Sequence, residues 1–290
     1  MNNEIFKHFH RYSSTFRPIH TFPFPPFCRP TAATFNCPST AMADTPPPPP
    51  SAAAAGGGDE AVDLEQRVRQ LIMSIGQGNE DAVREISILI ESFNQEQFVD
   101  FVEIMARMFV ERGASVDMPG GQEGITMLMI AANSGRVDFA RYLLAHGATV
   151  GLLDNSGSVF ALMLAAESGS LEVCRLLVEE WAAEVNQQAI DGTTPLMGAS
   201  IEGRLDVVIY LIDHGAEVQH TDAEGYNSLM HAVKNGKTEV ARHLLTNGAS
   251  TDQVGTDGKR ARDLAEEGGL AEMMDIFRTT TAAERTEADH

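Results

Sequence analysis

Cys174, the nine histidines and two glycine-rich stretches are the places where this chain could do chemistry. A cysteine beside a histidine can be an activated nucleophile, a histidine beside a carboxylate a general base, and a glycine loop a phosphate cradle. None of these is completed by its surroundings. Cys174 lies where corresponding helical segments carry Ala140, Val208 and Ala241, small apolar residues, and this predicts a buried, inert thiol. His146 and His214 each precede a glycine at a helix end, where a histidine favours the C-terminal dipole. His231 follows Met230 in a helical stretch and is expected near the surface, with no carboxylate pair or cysteine arranged around it. "GQGNED" from Gly76 and "PGGQEG" from Pro119 lack the Lys-Ser/Thr pair of a phosphate loop and read as turns. His8, His10, His20, Cys28 and Cys37 have no zinc-ligand spacing. The sequence therefore predicts no catalytic residue, no cofactor site and no metal site.

Composition narrows the class of partner. No apolar run reaches the eighteen or so residues of a membrane span, and no membrane insertion is expected. Three cysteines are no disulfide framework and fit a reducing compartment, the cytoplasm or nucleus. Net charge is -20. Residues 1–41 hold Lys7, Arg11, Arg17 and Arg29 against Glu4, a surplus of three positive charges, so the rest of the chain carries -23. Such a body repels phosphate backbones, which argues against nucleic acid and towards a basic protein segment.

The elements divide the chain unevenly. Residues 1–60 read as a disordered leader and a Pro/Ala/Gly linker, "PPPPPSAAAAGGG" from Pro46. The leader has the basic, acid-poor composition of a transit peptide, which would imply an organelle; alternatively Met42, opening "MADTPPPPP", is the start. From Val62, apolar residues recur at helical spacing through Ile75 and again from Ala82 to Ile90. Asn94 with Gln97 forms a capping-box pattern opening a third helix that should end at Gly113. The tail from Arg278 lacks apolar anchors and is expected to be disordered.

One octet is written four times: TMLMIAAN, FALMLAAE, TTPLMGAS and NSLMHAVK. Leu128, Leu162, Leu196 and Leu229 are spaced 34, 34 and 33 apart. The glycines that come after them, Gly135, Gly169, Gly203, Gly236 and Gly269, are spaced 34, 34, 33 and 33. After each glycine comes a second helical segment, such as VDFARYLL or LDVVIYLI. Each unit is helix, turn, helix and extended connection, and none could bury its apolar face alone, so stacking is required.

"DGTTPLMGASIEGRLDVVIYLIDHGAEV", from Asp191, resembles the ankyrin repeat, whose unit of about 33 residues carries T-P-L-H-x-A and then a glycine turn. The resemblance covers residues 113–277, and 62–112 in degenerate form. It implies an all-α solenoid of stacked helix-turn-helix units with hairpin-like loops. The expected order is a helical cap or degenerate repeat at 61–117, repeats at 118–150, 151–185, 186–218 and 219–251, a capping repeat at 252–277, and the tail at 278–290. The motif histidine is replaced by Met129, Met163, Met197 and Met230, so its bond to the neighbouring turn is expected to be missing. Thr survives as Thr126 and Thr194, with Phe160 and Asn227 elsewhere. The second repeat has an extra residue between Gly157 and Leu162, and Ala182 stands where its neighbours have Gly147, Gly215 and Gly248. A local bulge is expected there, with Ala182 strained if it stays left-handed. Arg262 takes a core leucine position in the last repeat, tolerable where there is one neighbour only. "LVEEWAAEVN", ending at Asn186, resembles the pattern that asparagine hydroxylases recognise in ankyrin repeats, with an ordinary turn asparagine as the alternative.

The resemblance further implies a non-catalytic protein-binding scaffold or adaptor. Its contact positions carry over to Ile125, Ile190, Asp191, Glu224 and Tyr226 at hairpin tips, and to Asn133, Glu167, Ile201, Glu202 and Lys234 on the first helices. Ile190, Ile201 and Tyr226 are expected to cluster as exposed apolar anchors rimmed by acid, the pattern of an energetic hot spot for a basic segment. The alternatives are a regulatory subunit or inhibitor of an enzyme, and an assembly protein acting through its polyproline segment.

Overall fold

The computed structural model describes residues 58–76, 79–119 and 123–278. The expectations for the leader, the polyproline linker, the tail beyond Arg278, and parts of both glycine-rich loops lie outside those residues. Among these described residues, those up to Met108 and those from Phe109 onward form two compact units.

The first unit holds α1 (Gly58–Gly76), α2 (Glu80–Glu91) and α3 (Gln95–Glu111) as far as Met108. Apolar residues at helical spacing meet in one core: Val68 and Leu71 from α1, Ala82 and Ile86 from α2, and Phe101 from α3. The capping box forms as its sequence predicts: Asn94 N–H donates to Gln97 Oε1 at 3.1 Å, and Gln97 N–H to Asn94 Oδ1 at 2.9 Å. α3 stops at Glu111, and Gly113 turns the chain at φ 83°.

The second unit is a series of helix pairs: α4 (Met127–Asn133) with α5 (Val137–Ala145), α6 (Ala161–Ser168) with α7 (Leu171–Arg175), α8 (Pro195–Glu202) with α9 (Leu205–Asp213), α10 (Ser228–Lys234) with α11 (Thr238–Thr246), and α12 (Ala261–Glu267) with a helix over 271–278. First helices stack on first helices, and second helices form a parallel row behind them. Leu128, Leu162, Leu196 and Leu229 are buried in that contact, as are Leu143, Leu177, Leu211 and Leu244 in the row behind. Helices of five to nine residues are too short to persist alone, so side-by-side packing supplies their stability. Strand-like pairing includes an isolated antiparallel bridge, Thr221 to Asn227.

Side chains open three of the first helices. Thr126 Oγ1, Thr194 Oγ1 and Asn227 Oδ1 accept the backbone N–H of Met129, Met197 and Met230 at 3.3, 3.4 and 2.9 Å. Phe160 caps nothing and is wholly buried instead. Met129 Sδ accepts the Thr126 N–H at 3.4 Å, a bond that closes its own helix start and does not reach the neighbouring turn.

Hairpin tips join the repeats through their backbones. Asn155 N–H donates to Glu123 O, Ile190 to Gly157 O, Ala223 to Asp191 O and Thr256 to Glu224 O, at 2.7 to 2.9 Å. The acceptor of the second bond lies one residue later in its tip than the others, because the tip after Asp154 carries the inserted residue. Where Asp222 N–H reaches Tyr226 O, four residues on, Asp154 N–H reaches Val159 O, five on.

The second repeat also bulges as its sequence predicts, and the form of the bulge is a π turn, Leu176–Glu180, continuing α7. A π turn absorbs one residue without exposing the buried Leu176 and Leu177. Beyond it, Ala182 is left-handed at φ 51°, where Gly147, Gly215 and Gly248 have φ of 90°, 88° and 80°. Ala182→Gly should therefore stabilise the chain by roughly 1 kcal/mol. A urea midpoint that fails to rise would show that the alanine is not strained.

Candidate partner-binding surface

The positions named for recognition fall on two elements of the second unit, the tips and the C-terminal halves of the first helices. Asn133, Glu167, Ile201 and Lys234 occupy equivalent places on α4, α6, α8 and α10, all partly or fully exposed. Ile190 stands 80% exposed at its tip, with Asp191 beside it also exposed. Asp191 Oδ1 accepts Thr193 N–H at 2.9 Å, which ties down the tip's own backbone. Glu224 is exposed at the next tip, and Ile125 and Glu202 are half-buried.

Tyr226 does not join this exposed set. It retains 4% exposure, and its hydroxyl donates to Asp257 Oδ2 at 2.7 Å in the following repeat. The ring fills a slot left by Gly255, where an added Cβ would lie 2.3 Å from Tyr226 Cε1. Lys234 Nζ sits 4.9 Å from the ring centroid and His231 meets the ring edge-on at 5.6 Å. Burial, then the bond to Asp257, pushes the phenol up to about 12. The expected anchor is thus a joint between two repeats. Aromatic character at a tip was legible, but the glycine slot that receives it comes 29 residues later.

His231 is likewise not at the surface as expected. Its Nε2 lies 2.7 Å from Asp222 Oδ2, both side chains being largely buried. Asp222 Oδ1 meanwhile accepts the N–H of Glu224 and of Tyr226, each at 2.9 Å, so the pair braces a tip. His146 and His214 place Nδ1 2.8 Å from the carbonyls of Tyr142 and Tyr210, one turn back, and lie against those rings at 4.1 and 4.0 Å. Cys174 is wholly buried, and burial pushes its thiol up to about 12, so it carries no thiolate at neutral pH. Among the described residues no group of three His, Cys, Asp or Glu could hold a metal ion, and no helix is long and apolar enough to cross a membrane.

Stacked helix pairs with glycine turns, joined tip to tip, are the geometry against which the comparison with known families is decisive. A family model described as ankyrin repeats (3 copies) matches residues 94–189 and 162–255, together more than half of the chain. The chain belongs to the ankyrin repeat family. No curated protein matches it. Ankyrin repeats are protein–protein interaction modules and typically not enzymes.

Within the ankyrin stack, one set of polar residues was not singled out from the sequence. Side chains at the start of one extended connection clasp the backbone of the next: Asp117 Oδ1 accepts Thr149 N–H at 2.9 Å, Asn186 Oδ1 accepts Glu217 N–H at 2.9 Å, and Gln219 Oε1 accepts Ser250 N–H at 3.1 Å. Asn186 Nδ2 also donates to Gly215 O at 3.0 Å. In the second repeat the equivalent place is Gly151, and Gln187 Nε2 reaches back to its carbonyl at 2.8 Å. The signal was present as a polar residue recurring at the repeat interval. Asn186, also considered as a hydroxylation target, has both ends of its amide engaged in the clasp.

Glu167 is the most perturbed carboxyl of this surface. Burial, with the charge of Glu202 added, pushes it up to about 7. A carboxyl that holds its proton more tightly folded than unfolded stabilises the fold below its ordinary 4.5, and that contribution is lost as pH rises through about 7. Glu167→Gln should thus be more stable than the parent at pH 8, by roughly 1–2 kcal/mol after allowance for solvent, and no more stable than the parent at pH 4. The same gain at both pH values would show that charge is not its cause.

Proposed function

We propose that this chain is a non-catalytic adaptor that holds a basic segment of a partner protein along its hairpin tips and first helices. The observation that carries the reading is an apolar side chain offered to solvent inside an acidic field: Ile190, 80% exposed, on repeats whose residues 113–277 hold 10 basic and 24 acidic side chains. Exposed isoleucine costs solubility unless covered, and acid around it speeds encounter with a cationic segment. Half-buried Ile201 on α8 offers a second apolar side chain on the first-helix row, while Tyr226 contributes by holding its tip in place.

Site-specific photocrosslinking tests this. A photoreactive amino acid at position 190 should give a discrete protein adduct in cells, with the crosslinked peptide rich in Lys or Arg. The same group in place of Glu239, exposed on α11 in the row behind, should not. Identical adducts from both positions, or none from 190, would overturn the assignment.

A further inference from the structure

Three features of one spot on the first-helix row point to a specific ligand group. Gly198 lies in the middle of α8, where Ile130, Leu164 and His231 occupy the equivalent turn of the other first helices. Glycine in a helix interior costs about 1 kcal/mol relative to alanine, so its place there has a packing reason. That reason is Glu167: a Cβ on Gly198 would stand 2.9 Å from Glu167 Cγ and 3.3 Å from its Oε1. The Glu167 side chain, from α6, therefore lies down in the notch on α8. Glu202 shares the notch's face of α8, four residues from Gly198.

No cation answers these two carboxylates. Among the described residues, no hydrogen bond or ion pair is made by the side chain of either Glu167 or Glu202. Arg204, the cation that does reach α6, gives its Nε–H to the Glu167 backbone oxygen at 2.9 Å and lays its stem over Gly169. A desolvated carboxylate next to a like charge is destabilised by both effects, and an entering cation reverses the second while repaying the first. A free ion would find little geometry to hold it, whereas the terminal group of a tethered side chain can bond both oxygen pairs at once.

Resting on the adaptor reading above, we propose that Glu167 and Glu202, set across the Gly198 notch, form a receptacle for one arginine or lysine side chain of the bound segment. The receptacle supplies register: it fixes which residue of a basic segment sits over α6 and α8, while Ile190 and the general acidity do not discriminate position.

The test is a displayed library of random twelve-residue peptides, selected on the full chain. The binders should share one fixed Arg or Lys. For a synthetic binder, replacing that residue by citrulline or acetyl-lysine should weaken affinity at least tenfold. Glu167→Gln with Glu202→Gln should do the same, as should Gly198→Ala, which fills the notch and keeps both charges. The Gln pair removes like charge and should melt at or above the parent; Gly198→Ala has to move Glu167 Cγ, 2.9 Å from its Cβ, so the Gln pair decides the matter if that variant melts lower. Binders that are lost on Ile190→Asp but have no fixed basic position, or that ignore the two Gln substitutions, would sink the receptacle and leave the adaptor reading standing. No binders, or binders indifferent to Ile190→Asp, would sink the adaptor reading itself. A synthetic peptide of residues 1–41 that displaces binders from the parent but has no affinity for the Gln variant would make the chain's own leader the occupant and overturn a separate partner.

Discussion

Tyr226→Ala is expected to lower stability by about 3–5 kcal/mol, the range for emptying a buried aromatic site. The ring is 4% exposed and occupies the space that Gly255 leaves beside it, so truncation leaves a cavity at a joint between repeats, where relaxation would need backbone movement. The hydroxyl adds a second loss. Its bond to Asp257 Oδ2 draws that carboxyl below the usual range, and a hydrogen bond to a charged group is stronger than one between neutral partners. Tyr226→Phe isolates that part: it should cost less than the alanine change and let Asp257 titrate nearer its ordinary value. Gly255→Ala approaches the joint from the other side, because its Cβ would meet a rigid ring. In a stack whose stability is a sum of units and nearest-neighbour contacts, loss at one joint uncouples the repeat on its far side. Amide exchange in α12 should therefore accelerate more than exchange in α6. A melting temperature within two or three degrees of the parent, against a fall on the order of 10 °C expected from that energy, would return Tyr226 to the surface.

The repeat interval made the architecture legible, because a leucine every 33 or 34 residues has no use except to meet its copy in the adjoining unit. Helix ends were legible for the same local reason, as at Asn94, Gln97 and Gly113. What the interval hid was any contact whose two halves differ in type. Tyr226 with Gly255, His231 with Asp222 and Glu167 over Gly198 each join a residue that departs from the repeat to another that departs from it elsewhere. In the sequence such departures look like drift. Side by side, they are complementary. Exposure was the property most often misread: Ile190 and Tyr226 occupy neighbouring tips but different places in them, Ile190 level with exposed Ala223, while the slot beside Gly255 takes the Tyr226 ring inside the stack.

Asp154→Ala should cost about 2–4 kcal/mol, from the donors that loss of its buried carboxylate leaves stranded in a partly buried tip. Asp154 is 5% exposed and accepts the N–H of Ser158 at 2.7 Å, of Val159 at 3.0 Å and of Ser156 at 3.3 Å, together with the Ser156 hydroxyl. Burial pushes its carboxyl up, but these bonds, Ser156 first, outweigh burial and hold it below the ordinary 3.8. A carboxyl more acidic folded than unfolded stabilises the fold above its unfolded value, and the contribution disappears as pH falls through the folded one. The gap between parent and variant should thus be widest near neutrality and narrow below pH 3.8. Asp154→Asn keeps one carbonyl oxygen for Ser158 and Val159 but turns an amide donor towards Ser156, and should fall between the two. The enlarged loop makes the demand unusual. Asp222 braces a tip one residue shorter with two backbone bonds, whereas the insertion after Asp154 adds a donor that only a charged acceptor inside the loop can reach. Because Gly157 O of that tip receives Ile190 N–H at 2.8 Å, collapse of the Asp154 loop would also release the tip that presents Ile190. Denaturation across pH 3 to 8, paired with peptide binding at pH 7, separates the outcomes: a pH-independent deficit would mean that Asp154 acts through its shape and not its charge.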